Sequence, residues 1–133
     1  MAARTLVTMS IRETGDLQAM RATLREALEP RADELVVGDV LVATQEAVTN
    51  SLRSTSRSAR AVKVRLQLDD DVVWVEVEDR GRWLPAAPAA CAAPPLETTH
   101  GRGLYLMRNL MDVVEISSRG AGSLVRMAKR LAV

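Results

Sequence analysis

The feature that most limits what this chain can fold into is the alternation between Val62 and Asp79. Val62, Val64, Leu66 and Leu68 alternate with Lys63, Arg65 and Gln67; beyond Asp69-Asp70-Asp71, Val73, Val75 and Val77 alternate with Trp74, Glu76 and Glu78. Successive side chains on a strand point to opposite faces, so this pattern describes two strands covered on one face only. The three aspartates between them form a tight polar turn, which makes the pair a hairpin. Asp79 continues the apolar phase. It sets a carboxylate toward the core at the strand's end, where burial demands a hydrogen-bond donor.

A sheet covered on one face needs helices. Thr14-Gly15-Asp16 turns the chain into a first helix over Leu17–Leu28, with Leu17, Met20, Leu24 and Leu28 on one side, and Pro30 stops it. Asp33 caps a longer helix to about Ser54, with Leu35, Val36, Ala43, Ala47 and Val48 supplying much of its apolar surface. Gly101-Arg102-Gly103 opens a third helix over Leu104–Met111, where Leu104, Met107 and Met111 have helical spacing. Arg4–Ile11 reads as a first strand at a sheet edge. Val113–Ser118 and Ser123–Met127 read as the last two strands, around Gly120-Ala121-Gly122. Residues 80–100 carry Pro85, Pro88, Pro94 and Pro95, too many for a helix, and a loop of that length is a lid or a linker. The predicted class is α+β: a two-layer sandwich, its sheet mixed but mostly antiparallel, with helices on one face. The 133 residues are expected to form one domain, 1–133.

Composition removes several function classes. The formal net charge of +1 gives no nucleic-acid footprint. A lone cysteine, Cys91, cannot form an internal disulfide, and with one histidine it makes no zinc site. There is no signal peptide and no apolar run of membrane-spanning length, so a cytoplasmic protein without membrane or direct nucleic-acid partners is the expectation.

Three short constellations carry possible chemistry. Glu46 and Asn50 stand four residues apart on the second helix, so they stack on one face, with Asp39, Arg53 and Arg57 on or near the same stripe. That stripe reads either as a solvated helix face or as a metal–nucleotide site. In the second reading Asn50 gives Mg²⁺ an oxygen and Glu46 orients or deprotonates a nucleophile, because Mg²⁺ takes few protein ligands alongside phosphates and waters. Glu78-Asp79-Arg80-Gly81 reads as a β-turn, or as an adenine contact in which Asp79 accepts the exocyclic amine and Gly81 admits the base. Thr99-His100-Gly101-Arg102-Gly103-Leu104 reads as a helix-entry turn, or as a phosphate site at a helix N-terminus. There is no GxxxxGK[ST] sequence, which excludes a P-loop.

Taken in order, E-x-x-x-N on a helix, D-x-G after a strand, a lid and G-x-G opening a helix resemble the GHKL ATPase fold of gyrase, MutL and histidine kinases. Within it the chain resembles the small bacterial anti-sigma factor serine kinases. The residues that carry the likeness are EAVTN (Glu46–Asn50), VEDRGR (Val77–Arg82) and GRGLYLMRNLMDVVEI (Gly101–Ile116). The resemblance implies ATP and Mg²⁺ as cofactors, with Asn50 as the metal ligand and Glu46 as the catalytic base. Asp79 and Gly81 would bind adenine, Gly101, Arg102, Gly103 and Leu104 would wrap the phosphates, and Thr98 or Thr99 would touch the γ-phosphate. It implies serine/threonine kinase activity on a STAS-type anti-anti-sigma protein, a bound sigma factor, and a homodimer formed through the first strand and first helix. Two stretches depart from the pattern: SLRSTSRS follows Asn50, and Trp83 stands where D-x-G-x-G would place glycine. The alternative left open is a non-catalytic module that acts by sequestering a sigma factor.

Overall fold

The computed structural model describes residues 3–54, 61–80, 100–119 and 122–131. In chain order the elements are β1 (Arg4–Ile11), a 3-10 turn (Thr14–Asp16), α1 (Leu17–Leu28), α2 (Glu34–Ser54), β2 (Val62–Asp69), β3 (Val72–Asp79), α3 (His100–Leu110), β4 (Val113–Arg119) and β5 (Gly122–Arg130). The five strands form one sheet in the order β1-β2-β3-β5-β4. All four ladders are antiparallel, so the sheet has no parallel pair among the described strands where a mixed, mostly antiparallel one is expected; the helices supply the second layer, as the element order predicts.

The hairpin follows its alternation closely. Register pairs Asp69 with Val72, which leaves Asp70 and Asp71 as a two-residue turn. Asp70 has a φ of 54°, a left-handed value that aspartate tolerates better than most side chains. Val62, Val64, Leu66, Val73, Val75 and Val77 are buried. Across the sheet the same phase runs through Met9 and Ile11 of β1 and Val125 and Met127 of β5, each opposite one of these residues.

Side chains close the starts of the 3-10 turn and of α2. Asp16 Oδ2 accepts from the Arg12 and Glu13 amides at 2.9 and 3.2 Å. Asp33 Oδ1 accepts from the Val36 amide at 2.9 Å, as expected of a cap. Helix α1 buries Leu17, Met20, Leu24 and Leu28. Helix α2 differs from expectation at one position: Leu35 is 74% exposed. The buried stripe is centred on Val37, Val40, Thr44, Val48 and Ser51, and Leu35 lies about 200° around the helix from Val37.

Two boundaries also differ. Helix α3 begins at His100, so the glycines at 101 and 103 sit inside its first turn and do not precede it. Amides there have no intrahelical partner, and glycine costs least where the ladder has not yet begun. Strand β5 continues to Arg130, because its last residues pair with the start of β3: Lys129 with Val73 and Arg130 with Val72.

One polar contact fixes the helix directions. Lys129 Nζ, at the end of β5, donates to the carbonyl of Leu110 at 2.6 Å and pairs with Asp39 Oδ2 at 3.2 Å. The C-terminus of α3 and the N-terminal half of α2 therefore meet over the start of β3. Consequently the second half of α2 and the start of α3 reach toward the other end, where β3 finishes. On the open face of the sheet, Arg65, Glu76, Arg126 and Glu115 form a row of ion pairs at 3.2, 3.0 and 3.4 Å. The Arg126 guanidinium lies 4.3 Å from the centre of the Trp74 ring, which shields that ring from water.

Gly122 marks a close backbone approach between β5 and the end of β3. A β-carbon there would stand 2.1 Å from the carbonyl oxygen of Asp79. Gly122→Ala is expected to destabilise the fold by about 3 kcal/mol, since the obstacle is backbone. Gly38→Ala, in α2 where a β-carbon meets nothing within 4 Å, is expected to stabilise by up to about 1 kcal/mol. Urea denaturation of both variants checks the contrast.

Candidate functional site

Glu46 and Asn50 face the first turn of α3. Both are half-buried. A β-carbon on Gly103 would lie 3.0 Å from Glu46 Oε2 and 3.0 Å from Asn50 Nδ2. A carboxylate, an amide and a glycine backbone thus converge on one point. A freely solvated helix face would not have this arrangement; α2 presents the pair to a second helix. Leu104, the next residue, is buried and anchors that turn in the core.

The start of α3 has the properties of an anion site. Its first amides point away from the helix with no intrahelical acceptor, and the helix dipole is positive there. Lacking a β-carbon, Gly103 lets the backbone of that turn lie close against Glu46 and Asn50. For His100, Gly101 and Arg102 the structure describes the backbone within α3.

Asp79 behaves as its phase predicts. It is 4% exposed, on the helix-facing side at the end of β3, in the same series as Val73, Val75 and Val77. Two buried hydroxyl residues accompany it. Ser123 is paired directly opposite Asp79 on β5, and Ser51 follows Asn50 on the inward stripe of α2; both are essentially inaccessible to solvent. Sequence reasoning did not single these out as site residues. For Ser123 the available signal was the one that found Asp79: a polar residue in phase with Val125 and Met127, at a strand end. Thr44 is a further buried polar residue on α2, and its hydroxyl has no hydrogen-bond partner among the described residues.

The structure therefore brings Glu46, Asn50 and Gly103 together, and places Asp79 at the end of β3 and Leu104 near the start of α3. Gly81, Trp83, Cys91, Thr98 and Thr99 lie outside the described residues, as do residues 55–60. Among the described residues no group of three or more His, Cys, Asp or Glu side chains could hold a metal by itself. The carboxylate of Glu46 and the amide oxygen of Asn50 are donors of the kind Mg²⁺ takes alongside phosphate oxygens and water. No helix among the described residues is long and apolar enough to cross a membrane.

The chain is similar to known proteins in sequence and in fold. Residues 11–129 match the family model of the histidine kinase-like ATPase domain. The chain is similar to the anti-sigma F factor of Heyndrickxia coagulans, with 32% identity over 115 residues, covering 80% of this chain and 76% of that protein. Among solved structures it superimposes on the RsbU and RsbW domains of a Mycobacterium tuberculosis protein with a TM-score of 0.70 and 23% identity, over 95% of this chain. The chain spans 33% of that structure. It superimposes on the histidine kinase domain of a blue-light activated histidine kinase from Erythrobacter litoralis with a TM-score of 0.57 and 21% identity, covering 88% of this chain and 60% of that one. With a buried carboxylate ending β3, an E-x-x-x-N pair on α2 and a glycine-bearing helix start beside it, the chain belongs to the histidine kinase-like ATPase domain family.

Proposed function

We propose that the chain is an anti-sigma factor that binds ATP with Mg²⁺ and phosphorylates a serine or threonine of a STAS-type anti-anti-sigma protein. The observation that carries this reading is the convergence of Glu46, Asn50 and Gly103 on one point. It is supported by family membership and by likeness to an anti-sigma F factor. One domain over residues 1–133, held as a homodimer through β1 and α1 in the cytoplasm, belongs to the same proposal. In it β1 would contribute its position at one edge of the sheet.

Each residue has a definable task. Asp79 accepts a hydrogen bond from the exocyclic amine of adenine, with Gly81 beside the base. The backbone amides of Gly101, Arg102, Gly103 and Leu104 hold the phosphates, and Thr98 or Thr99 reaches the γ-phosphate. Asn50 offers its amide oxygen to Mg²⁺, which when bound neutralises phosphate charge. In the transfer, the bond from the γ-phosphorus to the bridging oxygen breaks, a bond to the protein hydroxyl forms, and ADP leaves. Glu46 receives the hydroxyl proton. Phosphoryl transfer depends chiefly on positioning and charge stabilisation, so a small site with one base and a ring of amides is chemically sufficient.

Nucleotide binding measured with and without Mg²⁺, followed by a phosphotransfer assay on a STAS partner, tests the reading. Glu46→Ala is expected to bind ATP within about threefold of the parent but to transfer phosphate roughly 10²–10⁴-fold more slowly. A normal transfer rate in that variant would sink the base assignment. ATP binding without transfer by the parent chain would establish the sequestering module instead.

Gly103→Ala places a methyl group against Glu46 and Asn50. It is expected to weaken ATP binding about tenfold while costing the fold only about 1 kcal/mol, because flexible side-chain ends give way more easily than backbone. Calorimetric titration beside thermal unfolding checks this; equal losses in both would make Gly103 a packing residue.

A further inference from the structure

Lys129 is placed unusually for a lysine. It continues the helix-facing phase of Val125 and Met127 on β5, opposite Val73, and its side chain is only 17% exposed. The chain's other lysine, Lys63, is exposed. A mostly buried ammonium needs compensation, and this one has two partners on two different helices. Its Nζ donates to the Leu110 carbonyl, at the last residue of α3, at 2.6 Å. It also lies 3.2 Å from Asp39 Oδ2 on α2, itself 20% exposed. A cation at a helix C-terminus satisfies carbonyls that have no intrahelical donor and complements the dipole.

The junction beyond α3 is tied to the same strand. The Asp112 amide donates to the Ala128 carbonyl at 2.8 Å, and the Arg130 amide donates to Asp112 Oδ2 at 2.7 Å. The C-terminal end of α3 is therefore fastened to β5, while its first turn meets α2 through Gly103. Asp39 lies on the same stripe of α2 as Glu46 and Asn50, seven residues before Glu46. Gly103 and Leu110 are about 10 Å apart along the helix, so a tilt of about 10° at the fastened end moves the first turn by roughly 2 Å. Displacements near 1 Å can be felt about a hundredfold in rate where phosphate geometry decides the reaction.

We infer that Lys129, paired with Asp39, is a positioning residue. From the far end of α3, it sets how that helix's first turn meets Glu46 and Asn50, and hence how the phosphates are held. The inference rests on the nucleotide reading above. It separates the two halves of a nucleotide: phosphates depend on the seat of α3, whereas the base depends on Asp79 at the end of β3.

The test uses the full chain with Lys129→Met, Lys129→Arg and Asp39→Asn. Affinities for Mg²⁺-ATP and for adenosine are measured by calorimetry, and amide hydrogen exchange is followed without nucleotide. Lys129→Met is expected to weaken ATP about tenfold and leave adenosine within about twofold, because only phosphate positioning is disturbed. Lys129→Arg, which keeps both donors, should restore ATP binding, and Asp39→Asn should fall between them. In nucleotide-free Lys129→Met, α3 amides should exchange about tenfold faster while those of α1 are unchanged. The inference is overturned if ATP and adenosine weaken in proportion, or if neither ATP affinity nor α3 exchange changes in the folded variant. Should the parent protein bind neither ligand, the nucleotide reading fails by itself, and the exchange of α3 still decides whether the pair seats the helix.

Discussion

Everything at the site depends on the sheet having one covered face. Helices pack against Val64, Leu66, Val75, Val77, Val125 and Met127, so each strand's phase is fixed by the burial of alternate residues. A slip of one residue in β3 would drive Glu76 and Glu78 into the core and Asp79 out of it. The register that satisfies the apolar residues is thus also the one that turns a carboxylate inward at the strand's end. The opposite face is made compatible with water by the Arg65–Glu76–Arg126–Glu115 row and by Arg126 covering Trp74. Exposed ion pairs of this kind add little stability. Their value is that any shifted register would bury some of them without partners.

On this platform the site is assembled from four separate ends. Strand β3 contributes Asp79, β5 contributes Gly122 and Ser123, α2 contributes Glu46, Asn50 and Ser51, and α3 contributes its first turn. Two glycines allow the elements to approach: Gly122 lets β5 pass under the Asp79 carbonyl, and Gly103 lets α3 lie against the α2 pair. A fold that holds its chemistry at the ends of rigid elements can present a base contact and a phosphate contact from different supports. That division underlies both the proposed kinase reading and the role assigned to Lys129.

Much of this was legible in the sequence because local patterns and tertiary demands agree. The hairpin, the α1 stripe, the Asp33 cap and the inward turn of Asp79 follow from period and phase alone. Other positions are set by tertiary contacts that no local pattern carries. The spacing of Leu104, Met107 and Met111 starts α3 after its glycines, whereas the helix begins at His100 and takes both glycines into its first turn. Leu35 was assigned to the core by hydrophobicity, although its angle on α2 sends it to solvent. Gly122 could not be read from its neighbours, since the need for it arises from a carbonyl on another strand more than forty residues away in sequence. Lys129 looks like an ordinary surface residue until its phase on β5 is considered.

The strand order carries a consequence for how the molecule is made. Strand β5 is the last described element in the chain, yet it lies between β3 and β4 and pairs with both. Until it is in place, β3 and β4 each present an open edge capable of pairing with another chain. The hairpin, β1 and α1 need only contacts within the first half of the chain, and β4 and β5 form a local hairpin of their own, whereas joining the two halves rests on the long-range β3–β5 pairing, of the kind that forms slowly. The second half bears Ser123, Gly122 and the anchor for α3. The site thus draws on both sides of the long-range β3–β5 junction, and an unpaired β3 edge is the place where a partly formed chain could pair with another.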